Sequence, residues 1–240
     1  GALALVGFVA VERRAEEPIV DLGILTRPLI ATTTLVSLGV GALMIGITSF
    51  VPTYLENAVG ALPLVSGAAV AALTLGWPLA ASNAGRLYLR HGFRTTVITG
   101  SSIALVGAVL LAATAHWPHP VTVAAVAFVI GFGLGWTAAP SLIAAQASVE
   151  WHERGVVTGV NVFARSAGSA VGVAVFGAIA NNVIAAGHGE SDYGTIVSAS
   201  TWVFVAVAVT ALLMWAAGFR MPRGSVDSDA YAPAREPVPE

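Results

Sequence analysis

Residues 153–186 read ERGVVTGVNVFARSAGSAVGVAVFGAIANNVIAA, and this stretch decides what kind of fold the chain adopts. A helix rises about 1.5 Å per residue, so about 20 apolar residues cross a hydrocarbon core of about 30 Å. The stretch is long and apolar enough to do so, yet an arginine stands near its middle. Arg165 comes ten residues after Gly155, about 15 Å along an unbroken helix. A cation facing lipid at that depth is expensive, so Arg165 is expected to face protein or water and is a functional candidate. Thr158, Asn161, Arg165 and Ser169 recur every three or four residues and form one polar stripe on the helix. Gly155 with Gly159, and Gly168 with Gly172, are spaced for close approach of a second helix. Two readings of Arg165 stay open. It snorkels to headgroups or bonds a neighbouring carbonyl, or it is a charge lining a path through the bundle.

The composition agrees with a membrane setting. Hydrophobic residues make up 56% and charged residues 10% of the chain, against about 25% charged in soluble domains, and mean hydropathy is +0.82. The protein is therefore expected to be an integral membrane protein. With a net charge of -2 and its arginines in short connections, it has no basic stripe to track phosphates, and no nucleic-acid partner is expected. The lack of cysteine excludes disulfides, thiolate metal sites and cysteine nucleophiles and leaves the redox compartment undetermined. No metal or cofactor is expected. His116 and His119 flank Trp117 and Pro118 without a third ligand nearby and read as a solvated turn. The glycines of GFGLGW lie inside a span and serve packing rather than phosphate binding, so ATP-driven pumping is not expected.

In chain order, residues 1–11 are apolar but too few to span a bilayer. They read as the end of a truncated transmembrane helix, which would make the chain the carboxyl-terminal part of a longer protein. Residues 12–28 read as a charged cytosolic connector. A six-helix bundle is expected over 29–219, with spans near 29–54, 63–83, 95–115, 121–147, 153–186 and 195–219. Pro78 and Pro140 fall inside spans and should bend them. The tail, 220–240, is rich in Pro, Ser, Asp and Ala and is expected to be disordered.

Arginine placement sets the topology. Arg13, Arg14, Arg27, Arg86, Arg90, Arg94, Arg154, Arg220, Arg223 and Arg235 all fall on one side of this arrangement, which the positive-inside rule assigns to the cytosol. Tyr54, Trp117 and Trp202 then belong to the outer interface, and Tyr88, Trp151 and Trp215 to the inner one. Trp77 and Trp136 lie inside spans beside the prolines.

The most basic segment, GRLYLRHGFR at 85–94, lies between the second and third spans. Its two glycines permit a tight reversal and its arginines, four apart, can reach headgroups, carboxylates or helix carboxyl ends. Here the chain resembles the major facilitator superfamily, whose signature between its second and third helices repeats more loosely in its second half. Gly85, Leu87, Arg90, Gly92 and Arg94 match that signature; Leu89 replaces its Asp and Phe93 its first closing basic residue. Nearly the whole chain is similar to the second half of the fourteen-helix drug:proton antiporter branch, including the connector, the turn VPTYLENAVG and the run from Pro140 through ERGVVTG to RSAGSAVGVAVFGAI.

The resemblance implies an all-α half-transporter in the cell membrane that is not an enzyme. It packs against a missing amino-terminal half, binds a small-molecule substrate near the midplane and exports it in exchange for protons. It also implies that Gly85, Arg86, Arg90, Gly92 and Arg94 form a cytosolic gating loop. Asn161, Arg165 and Ser169 would be polar cavity contacts, and Trp77 and Trp136 apolar walls suited to flat lipophilic cations. No Asp or Glu lies deep in a span, so the coupling carboxylate is expected in the other half. Arg165 then either reads an anionic substrate or holds a carboxylate of that half. The competing reading is a membrane scaffold or assembly subunit without transport activity.

Overall fold

The computed structural model describes residues 22–117, 119–187 and 193–223. A five-residue helix, α1 (Leu22–Thr26), precedes six helices, each long and apolar enough to cross a membrane. These are α2 (Pro28–Val59), α3 (Pro63–His91), α4 (Phe93–Ala113), α5 (Pro120–Ala147), α6 (Arg154–Ala186) and α7 (Tyr193–Phe219). No strand occurs among the described residues. The expected all-α, six-span bundle is the fold observed. The expected helix end at 1–11, most of the connector, and the tail beyond Arg223 lie outside the described residues.

Local chemistry explains the helix boundaries. Pro28, Pro63 and Pro120 each open a helix at its first position, where a missing amide costs nothing and a fixed φ helps. α2 runs past its apolar stretch through Glu56 and Asn57 and stops at Gly60, which takes the left-handed conformation at φ 66°. α3 likewise continues beyond the expected end at 83, because nothing before Gly92 breaks it. Gly92, at φ 83°, alone makes the reversal into α4. Gly85 lies within α3, so the pair of turning glycines expected from the sequence reduces to one. Pro52, Pro78 and Pro140 sit inside helices that continue through them.

The helices pack in a ring, with α2 against α6 and α7, α5 against α3 and α4, and α4 closing onto α7. The core between them is aliphatic, built from Val40, Leu43, Ile47, Leu73, Ile130 and Val207 among others. Small residues set how closely the helices approach. In α5, Gly131 and Gly135 lie one turn apart against the backbone of Leu73 and Trp77 in α3, while Gly133 faces Gly100 and Ala104 of α4. The GFGLGW run therefore serves packing on two sides at once.

Side-chain bonds fasten the helix ends. The Tyr54 hydroxyl donates to the Ala115 carbonyl at 2.7 Å while its ring meets Phe204 edge-on. Tyr54 is 1% exposed, so it belongs to the core rather than to the outer aromatic belt expected from its position. Trp117 and Trp202 are exposed there. At the arginine-rich end, Arg27 pairs with Glu153 at 3.5 Å, and Glu150 and Glu153 form a reciprocal capping box over the turn Trp151–Glu153.

Burial is uneven. In α2, 56% of the most apolar window is buried inside the bundle, but in the segment Trp151–Ala186 only 11% is. The helix that carries Arg165 is thus the one least enclosed by its own bundle.

Candidate functional site

The polar stripe of α6 resolves into three occupied residues and one free one. Gln146 Nε2 of α5 donates to the Thr158 hydroxyl at 2.8 Å, and that hydroxyl donates to the Arg154 carbonyl at 2.7 Å. The Ser37 hydroxyl of α2 donates to Asn161 Oδ1, in a buried short contact. The Ser169 hydroxyl donates to the carbonyls of Gly41 at 3.0 Å and Arg165 at 3.1 Å. Thr158, Asn161 and Ser169 therefore join α6 to its neighbours within the bundle. The sequence signals the stripe but not its partners, because Ser37 and Gly41 stand more than a hundred residues away.

Arg165 differs. Its side chain is half-buried, and its guanidinium makes no hydrogen bond or ion pair with any described residue. Its backbone is held hard. Gly41 lies against the Arg165 carbonyl where no side-chain carbon would fit, and Gly168 and Gly172 receive Leu38 and Ala42 of α2. Of the two glycine pairs in α6, Gly168 and Gly172 pack against α2 while Gly155 and Gly159 face open space. A tethered backbone thus carries an unpaired cation at the middle of the least enclosed span.

Trp77 and Trp136 lie on other interfaces. Gly135 seats the Trp77 carbonyl at the α3–α5 contact, while the backbone of Trp136 lies against Gly100 of α4. Trp136 is half-buried, with its Nε1 enclosed and unpartnered among the described residues. It continues a row along α5: the rings of Phe128 and Phe132 are 6.4 Å apart, and those of Phe132 and Trp136 4.9 Å. Phe128 and Phe132 were not singled out from the sequence, although their spacing of four from Trp136 was the available signal. The Arg165 backbone belongs to the α2–α6 contact, that of Trp77 to the α3–α5 contact and that of Trp136 to the α4–α5 contact, so the candidate cavity residues do not converge on one interface.

The basic segment also divides. Arg94 donates from Nη2 to the Phe219 carbonyl at 3.0 Å and lies 5.8 Å from the Phe219 ring centroid. It occupies the carboxyl end of α7, where carbonyls lack helical partners and a cation is favoured. Arg86 and Arg90 are exposed on α3, and Leu89, where the family signature has Asp, is 81% exposed.

Known proteins give this arrangement a family. The Major Facilitator Superfamily profile matches residues 6–173. The multidrug transporter protein MdtP of Bacillus subtilis (strain 168) is 28% identical over 183 residues, covering 75% of this chain and 34% of that protein. The puromycin resistance protein pur8 of Streptomyces alboniger is 30% identical over 232 residues, 90% of this chain and 46% of that protein. The drug efflux pump JefA of Mycobacterium tuberculosis (strain CDC 1551 / Oshkosh) is 28% identical over 172 residues, 72% of this chain and 34% of that protein. The chain spans between a third and a half of the length of these relatives. With well over half of its residues matched by the family profile and six helices able to span a bilayer, this chain belongs to the Major Facilitator Superfamily of multi-pass membrane transporters.

Proposed function

We propose that this chain forms the carboxyl-terminal half of a secondary transporter in the cell membrane, exporting drugs or other small amphipathic molecules by alternating access in exchange for protons. The observation that carries this reading is Arg165, an unpaired cation held at mid-span on the helix least buried by its own bundle. A charge in that position is stable when it faces water or a second protein surface rather than acyl chains. The partner surface is the missing amino-terminal half, and the passage between the halves holds the substrate. In this reading the end bearing Arg27, Arg86, Arg90, Arg94, Arg154, Arg220 and Arg223 lies in the cytosol.

Glu56, Glu150 and Glu153, the acidic residues among those described, all sit at helix ends. A proton-coupling carboxylate would therefore come from the other half. Arg165 would be its counter-ion in one conformation and release it in another. The relatives, a multidrug transporter and a drug efflux pump among them, support small organic molecules as the cargo class. The aromatic row of α5 offers flat rings for such cargo.

Uptake of ethidium into inverted vesicles containing the full-length protein, with and without a proton gradient, tests this reading. Gradient-dependent ethidium movement is the expected result. A protein that leaves ethidium and the gradient untouched would instead be a membrane scaffold.

A further inference from the structure

The contact between α2 and α6 changes character along its length. In its lower part small residues face each other, with Leu38 against Gly168 and Ala42 against Gly172. One turn further along α2, Gly46 receives the Phe176 ring, which lies 2.8 Å from the position a Cβ would take. Phe176 meets Phe50 edge-on, with centroids 6.3 Å apart and planes at 86°. The contact between the helices is made here by a pair of rings rather than by backbone on backbone. Above this floor, at the end away from the arginines, a cavity of about 490 Å³ opens between α2, α6 and α7.

Its lining is mixed and, among the described residues, carries no charge. Phe50, Ile184 and Val203 make apolar wall, while Ser49, Asn181 and Ser200 bring neutral polar groups to it. The side chains of those three make no hydrogen bond with a described residue. Drug-sized ligands occupy pockets of roughly 300–1,000 Å³ with apolar walls and a few oriented polar groups. An ion entering this cavity would lose hydration and find no counter-charge among the described lining residues, and a bilayer acyl chain would leave the polar groups unused.

We infer that the cavity between α2, α6 and α7 binds an uncharged, drug-sized solute carrying hydrogen-bonding groups on an apolar body. The site lies on the far side of the glycine contact from Arg165 and takes the opposite chemistry. Its occupancy is an equilibrium property of this bundle and stands whether or not proton-coupled export does.

Photolabelling of the full-length protein in lipid nanodiscs, without any gradient, tests it. The probe is 4-(hydroxymethyl)benzophenone, with adducts mapped by peptide mass spectrometry. Saturable labelling is expected within 49–57, 180–184 and 196–203, and Ser200→Trp removes it by filling the space. A gentler variant, Ser49→Ala with Asn181→Leu, keeps the cavity open but lacks two polar groups. It raises the half-saturating concentration roughly tenfold or more, since a neutral hydrogen bond contributes about 0.5–1.5 kcal/mol. The trimethylammonium analogue of the probe does not compete. The assignment is overturned if labelling fails to saturate and is as heavy on the exposed Leu212 and Leu213 as in the cavity. It is equally overturned if the cationic analogue competes as well as the neutral probe, or if the Ser49→Ala, Asn181→Leu variant binds unchanged.

Discussion

The Arg165 carbonyl lies against Gly41 so closely that a methyl group at position 41 would overlap it. The two residues stand on different helices, yet one fixes the height and rotation of the other. Ser169, one turn on, reinforces the contact by donating to the Gly41 carbonyl at 3.0 Å. The first prediction follows directly. Gly41→Ala forces α2 and α6 apart, at a cost of about 1–3 kcal/mol for overpacking. Ser169→Ala loses one neutral hydrogen bond, about 1 kcal/mol. Thermal unfolding of the purified full-length protein should rank Gly41→Ala below Ser169→Ala and both below the parent. Equal midpoints for Gly41→Ala and the parent would show that the helices are not in contact there.

Arg165 itself is expected to matter for activity and not for assembly. Its guanidinium bonds to nothing described in this bundle, so Arg165→Ala removes no hydrogen bond or ion pair that holds the six helices together. We expect that variant to insert and purify like the parent while ethidium efflux falls at least about tenfold, the loss of one charge-assisted contact of roughly 1.5–3 kcal/mol. Arg165→Lys keeps the charge but not the planar fork, and partial efflux is the expected outcome. Full efflux by Arg165→Ala would remove this residue from the transport path.

Much of this was legible in the sequence, and the reason is the solvent. A bilayer demands long apolar helices, so their number, order and approximate limits follow from hydropathy. The arginines in turn report the common end of the bundle. What the sequence could not show is which polar residues find partners. Asn161 and Arg165 occupy the same stripe at the same spacing, but Ser37 takes up the first and nothing described takes up the second. That difference depends on the rotation of α2, fixed by glycine contacts between residues far apart in the chain. Gly85 and Gly92 were equivalent as turn-formers until the backbone placed one inside α3 and the other at positive φ. The cavity between α2, α6 and α7 had no motif to announce it, being lined by residues from three helices, one of them far from the other two in the chain.

Arg94 and Arg86 lie in the same basic segment and should respond differently to mutation. Arg94 reaches across to the end of α7 and donates to the Phe219 carbonyl at 3.0 Å. It is half-exposed, so its bond is partly screened by solvent and is worth about 1 kcal/mol rather than the full value of a buried charged bond. Arg94→Ala should lower the unfolding midpoint and increase protease cleavage after Phe219, whereas Arg86→Ala, on an exposed side chain, should leave both unchanged. Indistinguishable behaviour of the two variants would mean that Arg94 does not cap α7.

Ser37 and Asn161 provide the sharpest test of the packing between α2 and α6. Both are buried, at 6% and 5% exposure, and the Ser37 hydroxyl donates to Asn161 Oδ1. Asn161 Nδ2 has no partner among the described residues, so this one bond carries the satisfaction of the amide. Ser37→Ala strands the acceptor in a closed interface, a larger penalty than the bond alone. Once Ser37 is gone, Asn161→Leu should cost little, because it replaces an orphaned amide with an apolar side chain of similar size. A double-mutant cycle on unfolding free energy should therefore give coupling between about 0.6 kcal/mol, the average for polar pairs between membrane helices, and about 1.7 kcal/mol, the largest such value. Additive single effects would show that the two side chains do not bond and would leave Asn161 available to a path between the two halves.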